Sequence, residues 1–588
     1  LENKVWNLLN KFRNILSIGE TKKILLTILF LQKIYLESNE KLDINSNKPP
    51  KFNDYKNIIN MISKKNNIDE NYLRLYEESL KILTEKSKNI DIDSIIEEVS
   101  ILSLENILTF SQDIIYYEEN SENITIKELN ELVHLILSEV DGDSIADLCS
   151  GEGSFLGHVG IKDDSIKLYG QEINYEAALI SRLYLSINDL NYKIENADIL
   201  KDNILASSEI KFKKLFANFP WLLRLRKQDI DSLDTSYWNK YNNIFSTRIT
   251  SDWIFSTALV NMLEEEGKAI SLVVNGSLYK LTDSEVREKF IKNGSIEAVI
   301  QLPENIFPFT SISSSLIVFS HRNNQIKFID ASGMCQKGRR INILNTEEIY
   351  KAYKEEKPEF LVKVSNDEII NNESILLVSN YLGLDKIKLI NPTPLQDVVQ
   401  KIFRGYQITA KKLDKYIVSK KIESYNYEVL QLNDIQDGII SSNLIKISVE
   451  DSKLNKYLLK DGDVVISAKS TKVKSAVVSL EPNRKVIATG SIIVIRPSEK
   501  LNSAYLKVFL DSYEGKILLD SIQTGSVIVS INPSRLMQME VPLLSMNKQE
   551  KLGNKYLAKL DLIKITKNKL KSLEDEIEHI YDSESLGD

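Results

Sequence analysis

The stretch Asp147-Leu148-Cys149-Ser150-Gly151-Glu152-Gly153-Ser154-Phe155-Leu156 decides how this chain of 588 residues folds. It closes a short apolar run, 144–148, and reads as a strand followed by a sharp turn into a helix. Gly151 and Gly153 let the turn approach a ligand closely, and the carboxylate of Asp147 at the strand end can meet a cationic amino group. Gly-x-Gly turns occur in many α/β folds, so the flanking segments must decide between a ligand cradle and a plain turn.

Those segments come in series. A second strand, 167–169, leads into Tyr169-Gly170-Gln171-Glu172-Ile173-Asn174, which sets Glu172 about 20 residues past the glycines, where a carboxylate accepts from both hydroxyls of a ribose. Asp198, in Ala197-Asp198-Ile199-Leu200, is spaced to meet the adenine amine of the same nucleoside. Taken alone, Glu172 and Asp198 would read as solvated loop charges. A further strand, 214–217, ends in Asn218-Phe219-Pro220-Trp221. Asn218 and the carbonyl of Phe219 can accept both protons of an aromatic amine and make its nitrogen nucleophilic, while Trp221 stacks on the base. A solitary motif of this kind would instead be read as core aromatics.

Strands at 269–274 and 296–302, with crossover helices at 176–188 and 252–265, complete a doubly wound α/β domain with a parallel sheet. Before it, apolar residues at helical spacing (Val5, Leu8, Leu9, Phe12 and Ile15; Ile24, Ile28, Leu31 and Tyr35; Ile95, Ile101, Leu104 and Ile107) predict helices, with a loop at Pro49 and Pro50. After it, Asn391-Pro392-Thr393-Pro394 reads as a linker to strands at 427–432, 463–467, 475–480 and 490–495. A long helix, 548–580, carries Leu552, Leu560, Ile563, Leu570 and Leu573 near one face. Three domains are expected: 1–115 helical, 116–385 ligand-binding and 386–588.

Composition narrows the class. With 43% apolar and 27% charged residues and only 12 Pro and 21 Gly, the chain is globular and lacks long disordered or fibrous segments. Cys149 and Cys335 are too few and too far apart for a disulfide framework or zinc site, and the four histidines suggest no metal. The longest apolar run, 24–31, is far short of the roughly 20 residues a bilayer needs, and no leader precedes it, so a soluble, cytoplasmic protein with no membrane partner is expected. Position 1 is Leu, which suggests a trimmed or replaced start. The net charge of −8 is uneven: residues 385–588 hold about 31 Lys and Arg against about 26 acids, roughly +5, which leaves roughly −13 elsewhere. Polyanion binding is therefore expected in the C-terminal third, unless the surplus is ordinary scatter. There is no Gly-x-x-x-x-Gly-Lys-Ser/Thr loop for an ATPase motor, and no nuclease cluster.

In this order the segments resemble amino-type adenine DNA methyltransferases, specifically the modification subunit of type I restriction-modification systems. The opening Val5-Trp6-Asn7-Leu8-Leu9-Asn10-Lys11-Phe12-Arg13-Asn14 and the run Ile24-Leu25-Leu26-Thr27-Ile28-Leu29-Phe30-Leu31 are similar to the family's helical bundle. Gly170-Gln171-Glu172-Ile173-Asn174 matches its second motif, and Asp252-Trp253-Ile254-Phe255 resembles the helix after its catalytic strand. Val286-Arg287-Glu288-Lys289 and Ile300-Gln301-Leu302-Pro303, with Phe307 and Thr310, are similar to its closing strands. The resemblance implies S-adenosylmethionine as cofactor, held by Thr125, Asp147, Gly151, Gly153, Phe155, Glu172, Ile173, Asp198 and Asn218. It implies transfer to the adenine 6-amino group at Asn218, Phe219, Pro220 and Trp221. Two departures stand out. Phe219 replaces the first proline of the family's Asn-Pro-Pro-aromatic motif, which is expected to crowd the turn and leaves open a catalytically impaired DNA-binding subunit, and Ile124-Thr125-Ile126 replaces its Tyr-Thr-Pro.

From about 395 the chain resembles half of the specificity subunit of the same systems. The carriers are Leu395-Gln396-Asp397-Val398 with Arg404-Gly405, the segment Leu458-Leu459-Lys460-Asp461-Gly462-Asp463-Val464-Val465-Ile466-Ser467, and Val541-Pro542-Leu543 with Gln549. This implies a target-recognition domain on double-stranded DNA, with Arg404, Lys469, Lys472, Lys474, Arg484 and Lys485 toward phosphates or bases, unless these cations form a solvated loop face. A single recognition domain and one striped helix suggest a homodimer, and any cleavage would belong to a separate nuclease subunit. Methylation of RNA or protein would leave the C-terminal part unexplained.

Overall fold

A computed structural model describes residues 8–9, 11–12, 15–42, 50–62, 70–117, 125–201, 210–221, 223–233, 245–246, 248–308, 310–384, 387–417, 425–449, 451–524 and 529–585. Val5, Trp6, Asn7, Asn10, Arg13, Asn14, Pro49 and Ile124, named above, lie outside these residues. The chain forms two compact units, Leu1–Val378 and Ser379–Asp588.

In the first unit the apolar run at 24–31 lies in α1 (Ile18–Leu42), where Ile24, Leu25, Leu26, Ile28, Leu29, Phe30 and Leu31 are all fully buried. A helix apolar all round belongs inside a protein core. It packs against α2 (Leu104–Tyr116), and one apolar core runs from these helices through α3 (Lys127–Leu137) into the sheet, so the helical segment and the sheet fold together. No described helix is long and apolar enough to cross a membrane. Ile15 and Ile101, expected on buried faces, are exposed.

The sheet contains β1 (Ser144–Asp147), β2 (Lys167–Glu172), β3 (Tyr192–Asn196), β4 (Phe212–Asn218), β5 (Leu263–Val274), β6 (Ile296–Gln301), β7 (Ser314–Phe319) and β8 (Gln325–Asp330). A small hairpin, β9 (Cys335–Gln336) with β10 (Ile343–Leu344), precedes the edge strand β11 (Leu361–Ser365). The order is β11-β8-β6-β7-β5-β4-β1-β2-β3. Strands β3, β2, β1, β4 and β5 are parallel, as expected, and are linked through α4 (Ser154–Lys162), α5 (Tyr175–Ile187) and α6 (Ser251–Met262). The sheet as a whole is mixed, which corrects the all-parallel expectation: β7 lies antiparallel between β5 and β6 with all six of its residues buried, and β11 is antiparallel to β8. The helix expected over 252–265 stops at Met262, because Leu263 already pairs with Phe212 in β5.

The second unit holds several short sheets. Its largest sets Val399–Arg404, Ile492–Pro497, Val464–Ser467 and Ser475–Val477 side by side and antiparallel. The expected linker is structured, since Pro392–Pro394 pairs with Glu540–Pro542. The long helix α8 (Met546–Ser585) docks on α7 (Ser503–Asp511) through a face other than the expected apolar one. Gln549 is buried and bonds the Asn502 amide and the Lys500 and Leu544 carbonyls, and the Tyr556 hydroxyl donates to Asp511. A Cβ on Gly553 would sit 2.8 Å from Asn502 Oδ1, so glycine permits the close approach. Leu552, Ile563, Leu570 and Leu573 stay exposed on this unit.

Candidate active site

The carboxyl ends of β1, β2 and β4 meet at one edge of the sheet, with Asp147 in register with Gly170 on one side and Phe216 on the other. Gly151 and Gly153 adopt the left-handed region, with φ of 53° and 82°, and Gly153 opens α4. A Cβ on Gly153 would lie 2.4 Å from Ser181 Oγ on α5. The turn thus requires glycine for both its angle and its clearance.

Three carboxylates gather here. Asp147 is 3% exposed, accepts the Cys149 amide at 3.1 Å, and is pushed up to about 8 by burial, with Glu172 adding to the shift. Glu172 accepts the Gly151 amide on Oε2 (2.9 Å) and the Asn174 amide on Oε1 (2.8 Å). Asp198 accepts the Leu200 amide and lies 3.5 Å from the Lys201 ammonium. Burial, then Asp147, Glu172 and Asp198, hold the Cys149 thiol well above its ordinary value, so the structure brings the three expected carboxylates together. Ile173 stands exposed beside them.

Asn218 ends β4, and its Nδ2 donates to Thr125 Oγ1 at 3.3 Å. Thr125 is buried and ties this amide to the glycine turn, because its own N–H donates to Ser154 Oγ. Pro220 is exposed and Trp221 half-buried, its ring edge-on to Phe307 at 5.1 Å. Phe219 corrects the expectation of crowding: its ring is 3% exposed and stacked on Phe255 of α6, so it fills the core. Phe155, expected among the residues that hold the cofactor, is 1% exposed and its ring packs against Phe216.

The sequence reading missed the device that holds the turn from behind. Lys22 of α1 is buried, and its ammonium donates to Glu152 Oε2 at 3.0 Å and to the Ile115 carbonyl at 2.9 Å. Glu152 lies between the two glycines. The signal was a lysine in an otherwise apolar helical run and a carboxylate inside a glycine turn. Tyr116 and Asn130 continue the support: the tyrosine hydroxyl donates to the Ser154 carbonyl, and the asparagine amide donates to Tyr116 and to the Thr125 carbonyl.

In the second unit Lys469, Lys472 and Lys485 are exposed. Lys474 Nζ is 3.5 Å from the Leu432 carbonyl. Arg484, expected toward phosphates or bases, is partly exposed and its guanidinium is paired with buried Glu428. Arg404 is half-buried and donates through Nε to the Gly490 carbonyl at 2.6 Å, a contact that fixes the sheet edge. Among the described residues no group of His, Cys, Asp and Glu could hold a metal.

Residues 117–388 match the family model described as N-6 DNA Methylase. The type I restriction enzyme MpnII methylase subunit of Mycoplasma pneumoniae is 26% identical over 315 residues, 48% of this chain and 58% of that protein. The MjaVIII methylase subunit of Methanocaldococcus jannaschii is 26% identical over 293 residues, 45% of this chain and 50% of that protein. The chain spans about half the length of the curated relatives it matches. Among solved structures, the methyltransferase subunit of the type I restriction-modification system from Streptococcus thermophilus superposes with a TM-score of 0.54 at 19% identity, over 65% of this chain and 98% of that one, a likeness of fold. The chain resembles the methylase subunits of type I restriction enzymes, and its methylase-like segment contains Thr125, Asp147, the glycine turn, Glu172, Asp198 and Asn218, whereas Lys22 and Tyr116, which support the turn, precede it.

Proposed function

We propose that the protein is a DNA adenine methyltransferase that uses S-adenosylmethionine, with its own target-recognition unit at 386–588. The observation that carries this reading is Asn218. Its amide nitrogen is tied back to Thr125, which leaves Oδ1 as the free acceptor at the strand end, beside a buried carboxylate and a glycine cradle.

The residues fit the cofactor. Asp147 is buried with no cation bonded to it among the described residues, and it suits an amino-acid ammonium. Gly151 and Gly153 give backbone room for the ligand, and the second lone pairs of Glu172 remain for ribose hydroxyls. Asp198 and Ile173 suit the amine and face of adenine. The bound cofactor supplies an electrophilic methyl group. For the target base, extruded from the duplex at a cost of a few kcal/mol, Asn218 Oδ1 and the Phe219 carbonyl accept the two amine protons and Trp221 offers its ring. Thr125 keeps the amide from rotating its nitrogen toward the amine, where donor would face donor.

Phe219 suggested an impaired binding subunit as the alternative, and the stacking of its ring on Phe255, away from solvent, favours the active reading. Lys469, Lys472, Lys474 and Lys485 remain the proposed DNA contacts of the second unit. Two copies would pair through the exposed stripe Ile563, Leu570, Leu573 and Ile577, whose spacing of seven, three and four residues suits a two-helix seam. A separate nuclease or specificity subunit would complete a restriction system, acting on DNA in the cytoplasm. Sequencing of modified bases in DNA from cells with and without this gene tests the reading. It expects N6-methyladenine at one defined sequence, lost with Asn218→Ala.

A further inference from the structure

Between β9 and β10 runs the loop Lys337-Gly338-Arg339-Arg340-Ile341-Asn342. Lys337, Arg339 and Arg340 are all exposed, and among the described residues none of them has an ion-pair partner. They stand out on a part of the chain whose net charge is roughly −13. A solvated charge run would need no particular backbone, but this loop has one. A Cβ on Gly338 would sit 1.9 Å from the Ile341 carbonyl oxygen, so the chain closes on itself in a way only glycine allows and turns the three cations outward.

The loop is also fastened at one place. Asn342 donates its backbone N–H to the Asn305 carbonyl at 2.8 Å and its side-chain amide to the Glu304 carbonyl at 2.8 Å, while its Oδ1 accepts the Gly338 amide at 3.4 Å. Asn305 itself is held at φ 55°. Two residues further on is Phe307, whose ring meets Trp221 of the site. The one carboxylate on this segment, Glu304, accepts the Ser313 hydroxyl. The cationic loop is therefore braced on the same short segment that braces the tryptophan expected to stack on the target base.

We propose that Lys337, Arg339 and Arg340 form a phosphate-binding clamp on the DNA backbone beside the target adenine, a contact site in the methylase unit itself. Three exposed cations without an ion-pair partner among the described residues, on a loop fastened through Asn342, suit contacts to backbone phosphates, which set position without reading sequence. By gripping the strand next to the pocket, the clamp holds the flanking nucleotides while the base is extruded. It rests on the methyltransferase reading above.

The test combines Lys337→Gln, Arg339→Gln and Arg340→Gln in the full chain. Binding to duplex DNA from a host lacking the modification is measured across a salt series, with methyl transfer to the same DNA and S-adenosylmethionine affinity alongside. The slope of log affinity against log salt should become shallower by about 2 to 3, and transfer at moderate salt should fall, with cofactor affinity and melting temperature unchanged. A slope and transfer rate equal to the unaltered protein's overturn the clamp and leave the methyltransferase reading standing. If the unaltered protein neither binds nor methylates DNA, the underlying reading fails and the clamp with it. Lys469→Gln with Lys472→Gln serves as comparison: if only that pair changes the slope, the contact lies in the second unit and the clamp is wrong.

Discussion

The rings of Phe219 and Phe255 lie face to face, with centroids 4.8 Å apart and planes 16° from parallel. The residue that departs from the motif the chain resembles is thus a member of the core, stacked on α6. Where the motif it resembles carries a proline, position 219 carries a ring buried against Phe255, and packing supports the backbone next to Asn218. Phe219→Ala should lower the unfolding free energy by about 3 to 5 kcal/mol, and Phe219→Pro should also destabilise, although it restores the family's motif. Urea unfolding measures both. A Phe219→Pro protein as stable as the parent would show that the stack contributes little.

Asn218→Ala should abolish methyl transfer while S-adenosylmethionine still binds, because the amide acts on the incoming amine. Thr125→Val keeps the shape and loses the acceptor for Asn218 Nδ2. It should reduce kcat by about 10-fold, in line with loss of one orienting hydrogen bond, and Thr125→Ser should recover most of the loss. Single-turnover transfer with cofactor binding measured in parallel separates an oriented amide from a damaged pocket.

Asp147 gives the site a pH dependence. Burial raises its carboxyl to about 8, and a bound ammonium would draw it back down, so cofactor binding should expel a proton at neutral pH. Affinity should rise with pH up to about 8, with a slope approaching about one log unit per pH unit, and flatten above. Without ligand the sign is opposite for folding: the folded carboxyl holds its proton where the unfolded one has lost it, so this group's contribution to stability falls as pH rises from about 4 to about 8. Calorimetry in buffers of different ionisation enthalpy reads the proton release, and Asp147→Asn should remove it.

Lys22→Met keeps the length of the side chain and strands the Glu152 carboxylate without its partner. A loss of about 3 to 5 kcal/mol is expected, with weaker cofactor binding, although Lys22 lies on a distant segment of the chain. Pairing Lys22→Met with Glu152→Gln should recover part of the stability. A melting temperature unchanged by Lys22→Met would mean that the ion pair is solvated.

Much of the site was legible because it is local. Asp147, Gly151, Gly153, Glu172, Asp198 and Asn218 each sit at the end of a strand or in the turn after it, and strand period with turn chemistry locates such places in a linear sequence. What escaped depends on contacts across long stretches of chain. β7 opens with Ser314 and Ser315, which dilute its apolar signal, yet it is fully buried because neighbours flank it on both sides. The orientation of Phe219 depended on Phe255, and the burial of Lys22 depended on Glu152. Arg484 looked free in sequence because Glu428, its partner, lies 56 residues away. The stripe on α8 was legible as a pattern, but which face docks was decided by Gln549 and Gly553, a polar residue and a glycine that a hydrophobic period passes over.

Glu172 accepts one amide from the glycine turn and another from the turn after its own strand. Two loops that belong to different crossovers are sewn together by one side chain before any ligand arrives. The entropy of arranging this cradle is therefore lost once, during folding, and not again at each encounter with a cofactor. On the proposed reading, a cofactor would enter a cradle whose two loops are already joined, and its affinity would carry no charge for ordering them.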